Sequence, residues 1–268
     1  MRSLWNRTKH VIKRPLYAAY ERRLTGKARA WRKPEHIGII MDGNRRFARE
    51  FGYDDVVRGH EAGAEKLHDV LGWCHDFGVR YVTLWAFSLD NFKRSESEVK
   101  RLLQLFEEKF REIVGDPRVH QNQVRIHNIG RMAMLPPTLQ QAIKSAEDAT
   151  REYTKLQLNV AVAYGGREEV TDALKRYLAD EAEKGRPLAE VASEFQASHI
   201  DPYLYTNGVP DPDLIIRTSG ELRMSGFLLW QSVYSEYYFC DTFWPAFRKI
   251  DFLRALRAFD LRQRRYGK

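Results

Sequence analysis

Asp42, Asn44, Arg45 and Arg46 stand within five positions of one another in the stretch His36-Ile-Gly-Ile-Ile-Met-Asp-Gly-Asn-Arg-Arg-Phe47. An acid, an amide and two guanidinium groups this close suit one task, which is holding a polyanion. Guanidinium forks meet phosphate oxygens two at a time, and the N–H groups and dipole of a helix start add positive potential. A carboxylate is misplaced against a bare phosphate, but it fits when a divalent cation stands between them. The competing reading is a plain strand-to-helix turn with Asp42 as N-cap and solvated arginines.

Two further clusters have the same character. Ser88-Leu-Asp-Asn-Phe-Lys-Arg94 follows an apolar run, and Arg217-Thr-Ser-Gly-Glu-Leu-Arg-Met-Ser225 follows another. Arg217 and Arg223 flank a Ser/Gly-rich turn whose hydroxyls and free N–H groups are the makings of a phosphate nest.

The elements that must position these clusters follow from periodicity and punctuation. β-Branched and aromatic runs predict strands at 36–41, 79–87, 124–129, 156–163, 213–217 and 235–239. Helical spacing predicts helices over 58–77, 95–114, 136–152, 167–184 and 250–265, with a short segment at 187–196 and a helical turn at 227–230. Ser95-Glu-Ser-Glu98 reads as a capping box. Strands alternating with helices predict one α/β domain, 34–268, with a central, mostly parallel six-stranded sheet flanked by helices. Ligands of such sheets sit beyond the carboxyl ends of strands. All three polar clusters stand there, so they predict one site for two polyanions, with an acid available to a metal.

Composition narrows the choices. A net charge of +8 over 268 residues implies an acidic partner. The patterns GxxxxGK[ST] and GxGxxG are absent, which disfavours P-loop and Rossmann nucleotide enzymes, and no DDxxD-type helices appear. Two cysteines without a CxxC fit a reducing compartment and neither a zinc site nor a disulfide scaffold. No apolar run approaches the ~20 residues of a membrane span, and no signal-peptide core follows the basic start, so a cytoplasmic protein is expected. Residues 1–33 form a basic amphipathic arm with Trp5, Tyr17 and Tyr20. Such an arm suits peripheral contact with an anionic membrane at its inner face, or packs on its own domain. No nucleic-acid reading module is recognisable, so no nucleic-acid partner is expected.

The blocks HIGIIMDGNRRFAR, AFSLDNFKR, VAYGGREE, DLIIRTSGELRMSGFLLWQSVYSEYYF and WPAF, in that order from about residue 35 onward, resemble the cis-prenyltransferases, the undecaprenyl diphosphate synthase (Z-isoprenyl diphosphate synthase) family. The resemblance implies a fold that encloses a hydrophobic tunnel. It also implies an Mg²⁺-dependent homodimer that condenses isopentenyl diphosphate onto an allylic diphosphate, farnesyl or similar, forming each new double bond cis. Asp42 then matches the acid beside Mg²⁺ and the allylic diphosphate, whose phosphates rest on Gly43, Asn44, Arg45 and Arg46 beside the Phe47 wall. Arg217, Arg223, Met224 and Ser225 match the positions holding isopentenyl diphosphate, and Glu236 matches a second acidic metal contact. Asn91 and Ser88 match loop residues that assist loss of the C2 proton, with Leu89, Asp90 and Phe92 in the same loop. His60 and Arg94 match further binding positions, and Arg58 stands near the place of a family arginine otherwise missing here. Arg265 and Gly267 look like the family's RxG tail, which reaches the neighbouring subunit's site.

Departures matter as well. Phe47 and Phe92 replace tryptophans, Asp90 a glutamate, Arg45 a common glycine and Gly226 a common asparagine. Arg45, Gly226 and the RRYG tail are shared with the short-chain branch making Z-farnesyl diphosphate. Ala86, however, replaces that branch's bulky residue, and a small side chain at a tunnel wall lets the product grow. The expected product is therefore a long-chain, undecaprenyl- or decaprenyl-like carrier lipid for cell-wall glycans, with a short- or medium-chain product as the alternative. A non-catalytic partner subunit would typically lack the acid and arginines that Asp42, Arg46, Arg217, Arg223 and Glu236 supply here. Without the resemblance, Glu236 reads rather as a paired core acid and His60 rather as a surface residue than a ligand.

Overall fold

The fold is known from a computed structural model, which describes residues 17 and 19–262. Much of the basic arm, together with Arg265 and Gly267, lies outside the described residues.

The described chain opens with helical residues 19–28 (α1), whose Leu24 and Ala28 are buried in the main core. It continues through β1 (His36–Ile40), α2 (Asn44–Glu50), α3 (Val57–Asp76), β2 (Tyr81–Ser88), α4 (Glu96–Gly115), α5 (Pro117–Gln121), β3 (Val124–Ile129), α6 (Pro137–Thr150), β4 (Leu156–Tyr164), α7 (Gly166–Glu183), α8 (Leu188–Glu194), β5 (Leu214–Arg217), β6 (Glu236–Phe239) and α9 (Lys249–Leu261). The six strands form one sheet in the order β3-β4-β2-β1-β5-β6, and every neighbouring pair is parallel. Helices cover both faces, which is why β1 is apolar at every position but His36 and buried throughout rather than alternating. His36 survives inside because Thr83 Oγ1 and the Pro210 carbonyl meet its two ring nitrogens at 2.8 and 2.6 Å.

The topology selects where a ligand goes. From β1 the chain turns toward β2, and from β5 it turns the other way toward β6. The carboxyl ends of β1 and β5 therefore bound the crevice at the switch point. Asp42 follows one of these strands and Arg217 ends the other.

Three local expectations are corrected. The capping box expected at Ser95–Glu98 does not form: Ser95 makes no side-chain cap on α4, and the Glu98 carboxylate is drawn to two arginines described below. The short helix α5, capped by the Asp116 carboxylate on the Arg118 N–H, was not foreseen in the polar stretch before β3. Residues 225–234 form a run of turns, with positive φ at Ser225, Gly226 and Leu228, rather than one helical turn.

Candidate active site

The site begins with a glycine that nothing else could replace. Gly43 has φ +99, and an added Cβ would lie 2.7 Å from the Phe243 ring and 2.9 Å from Ser219 Cβ. This conformation lets the chain leave β1 and enter α2 while Asp42 Oδ1 accepts the Gly43 N–H at 2.7 Å. Gly59, at the start of α3, approaches the Asn44 carbonyl so closely that a Cβ would sit 2.1 Å from its oxygen. The turn is thus clamped between two elements.

Asp42 and Arg217 face each other across the crevice. Arg217 Nη2 donates to Asp42 Oδ2 at 2.8 Å, and Arg217 is only 4 % exposed. Its Nη1 donates to Ser225 Oγ at 3.0 Å and to the Arg223 carbonyl. One guanidinium fork therefore fixes the Asp42 turn and the 217–225 loop together. Thr218 Oγ1 completes the join, accepting the Asp42 N–H at 2.9 Å and donating to its carbonyl at 2.7 Å. Arg46 reaches over from α2, donating to Ser219 Oγ at 2.6 Å and pairing with Glu221 at 3.0 Å. Glu221 also pairs with Arg223. Burial of Asp42 disfavours its charge, but the Arg217 hydrogen bond and charge, with Arg46 and the Gly43 N–H, hold its carboxyl below the usual range. It is an anion at neutral pH.

These groups line a cavity of about 520 Å³ whose walls include Asp42, Gly43, Asn44, Arg45, Arg46, His60, Ser88, Asp90, Asn91, Arg94, Arg217, Arg223 and Ser225. On the far wall Glu98 accepts from Arg94 at 3.0 Å and pairs with Arg45 at 3.5 Å. His60 lies beside both arginines, and its Nε2 is buried without a partner among the described residues. Asn91 Oδ1 accepts the Ser88 N–H at 3.1 Å, shaping the loop after β2. Next to the cationic cavity lies an apolar one of about 110 Å³ lined by Leu67, Leu84, Leu105, Phe106, Phe110, Val160 and Trp244, among others. Met41, Asn44, His60 and Ala86 line both.

Some expected site residues are not brought in. Phe47 turns onto Phe51, with ring centroids 4.4 Å apart, and Arg58 stacks over Tyr53. Leu89 and Phe92 pack against the core, and Met224 does not line the cavity. Glu236 opens β6 opposite Leu214, at the level of Ile37. It is therefore two strands away from Asp42 and roughly 16 Å back along the strand direction, where Arg262 donates to it at 2.9 Å. Within one chain, then, Glu236 does not stand beside Asp42. Conversely, Glu98, Glu221 and Thr218 do not line the cavity but hold the residues that do, Arg45 and Arg94, Arg46, and Asp42 respectively. Glu98 was hidden by its fit to a capping pattern, while Glu221 and Thr218 stood in a quoted motif without a chemistry of their own.

Among the described residues no group of three or more His, Cys, Asp or Glu side chains gathers to hold a metal. An ion that keeps its waters and binds one carboxylate plus substrate phosphates needs no such group, and Mg²⁺ is that ion. Asp42, ionised and facing the cavity, fits it.

Two histidines also set a pH response. Burial, then Arg94 and Arg45, push the His60 imidazole down to about 4, and burial brings His36 to about 4 as well. The unfolded chain takes up these protons near 6.5, so stability is complete above that pH and is lost as pH falls toward 4. Urea melts at pH 7 and pH 5 should differ by on the order of 2 kcal/mol per histidine, and His60→Gln should remove one share. An unchanged pH difference in that variant would contradict the assignment.

Comparison with known proteins agrees with this geometry. The profile of the family described as "Putative undecaprenyl diphosphate synthase" matches residues 40–267. An isoprenyl transferase of Thermus thermophilus is 48 % identical over 258 residues, covering 96 % of this chain and 98 % of that one. A tritrans,polycis-undecaprenyl-diphosphate synthase (geranylgeranyl-diphosphate specific) of Methanopyrus kandleri is 50 % identical, covering 96 % and 93 %. The crystal structure of lavandulyl diphosphate synthase from Lavandula x intermedia, in complex with dimethylallyl diphosphate, superposes with a TM-score of 0.79 at 33 % identity, covering 88 % of this chain and 99 % of that one. The acid, the three cationic strand ends and the all-parallel sheet therefore have one common explanation: the chain belongs to the undecaprenyl diphosphate synthase family of prenyltransferases.

Proposed function

We propose that this chain elongates an allylic diphosphate with isopentenyl diphosphate to a long-chain Z-polyprenyl diphosphate. The observation that carries this reading is the pairing of a cationic cavity with an apolar one across a shared wall of Met41, Asn44, His60 and Ala86. Diphosphates suit the first chamber and a growing hydrocarbon suits the second. Their junction is where the C–O bond of the allylic diphosphate breaks and the new C–C bond forms. The Asp42 turn, Arg45 and Arg46 hold the departing diphosphate, and Arg217, Arg223 and Ser225 hold that of isopentenyl diphosphate. Charge developing on the leaving oxygens meets donors already in place, which is where such sites gain most of their rate. The proton leaving C2 passes to a diphosphate oxygen, with Asn91 and Ser88 orienting the loop above it. Mg²⁺, when bound at Asp42, would neutralise part of the diphosphate charge.

The proposed assembly is a homodimer. Val233 and Tyr234 are 70 % and 68 % exposed beside the half-exposed Leu229, an apolar patch on the turns after Ser225 that a second copy would cover.

Labelled isopentenyl diphosphate with Mg²⁺ and either a farnesyl or a geranylgeranyl primer should give a ladder of extractable chains. No elongation with any allylic primer would refute the reading, and a single short product would favour the short-chain branch that Arg45 shares. Ala86→Leu should shift the ladder to shorter chains, because it narrows the wall between the chambers. An unchanged ladder would remove Ala86 from chain-length control.

A further inference from the structure

Where α1 meets α9, the exposed charge is mostly positive. Residues 19–33 carry six Lys or Arg and one acid, Glu21. Arg22, Arg23, Lys27 and Arg29 are exposed, and so is Arg257 on α9. None of these five forms an ion pair with another described residue. The acids of α9 are already engaged: Asp251 is buried under Arg248 and Arg254, and Asp260 accepts the Arg32 N–H at 2.8 Å.

Placement joins part of this charge into one stripe, whereas Arg22 lies on the opposite side of α1 and Arg29 follows its end. Leu24 and Ala28 turn inward, so Tyr20, Arg23 and Lys27, spaced three and four apart, run down one side of α1. Arg254 lies over the Tyr20 ring at 6.0 Å and Arg248 over the Tyr17 ring at 5.4 Å, so the stripe continues onto α9. Both tyrosines are partly exposed while a guanidinium covers one ring face. Cations interleaved with amphipathic tyrosine rings are what a headgroup layer attracts and accommodates. Rings already covered by arginine are poor platforms for stacked bases, which sets this face apart from a single-strand nucleic-acid surface.

We infer that the α1–α9 face docks on an anionic lipid bilayer. Each cation near such a surface is worth about a fivefold factor in partitioning, and the attraction fades beyond a Debye length of about 8 Å at physiological salt. The test is flotation of the full chain with vesicles of one part phosphatidylglycerol to two parts phosphatidylcholine, against phosphatidylcholine alone. Binding is expected only to the anionic vesicles and should weaken as salt is raised. Arg23→Glu with Lys27→Glu and Arg257→Glu should lower partitioning roughly a hundredfold or more, and the corresponding Gln variants by less. Circular dichroism of each variant keeps a folding defect from passing as a docking defect. No flotation with anionic vesicles, equal binding to neutral ones, or full binding by the folded Glu variant would overturn the inference. Tighter binding to random duplex or single-stranded DNA than to anionic vesicles at physiological salt would also overturn it. The readout involves no turnover, so its failure leaves the prenyl-transfer reading where it stands.

Discussion

Asp42→Asn is expected to lower turnover roughly a thousandfold while the protein still folds. Asn keeps one oxygen, which can accept from Arg217 Nη2 or from the Gly43 N–H but not from both, because those donors meet different carboxylate oxygens. It removes the negative charge that makes a cation welcome among diphosphate oxygens. Asp42→Ala goes further. It leaves the Arg217 guanidinium, 4 % exposed, without its counter-charge, and breaking such a pair costs about 3 kcal/mol. The alanine variant should therefore be inactive and visibly less stable, and the asparagine variant inactive with a smaller loss, since it keeps one of the two contacts. Steady-state kinetics and urea melts on the pair separate the two roles. Near-normal turnover in the asparagine variant would remove Asp42 from the chemistry.

Arg217→Lys is the second large effect. One guanidinium reaches Asp42, Ser225 and the Arg223 carbonyl, and a lysine ammonium cannot span those three directions. Losing two charge-assisted hydrogen bonds, each worth roughly 1.5–3 kcal/mol, should lower kcat/KM by two to four orders of magnitude. The loss should fall heavily on KM for isopentenyl diphosphate, because the 217–225 loop loses its anchor. A kcat/KM within tenfold of the parent would show that the loop is held by other means, with Thr218 the first to test.

Much of this was legible in the residues. Apolar runs alternating with amphipathic segments marked all six strands, and the polar clusters at three strand ends converge on one cavity as parallel topology requires. What periodicity does not carry is the level of each residue along the sheet. Glu236 was matched to a metal contact by the resemblance alone, and it begins β6 whereas Asp42 follows the end of β1. Glu98 shows the converse. Its spacing from Ser95 matched a helix cap, but two arginines brought near by the β2 loop and by α2 compete for the same carboxylate and win. Phe47 was assigned to a wall by its place in a motif, and Phe51 one helical turn later supplied an apolar partner on the other side.

The parallel pairing of β1 with β5 has a consequence for how the protein is made. Ile40 aligns with Arg217, so β1, buried along its whole length, has an unpaired edge until most of the chain has emerged. Synthesis from the N-terminus therefore exposes an apolar strand edge for a long interval, the state most open to mispairing and to chaperone capture. The acid and its arginine partner come from opposite ends of that interval, so the ion pair that joins the two sides of the crevice forms only once β5 has been made.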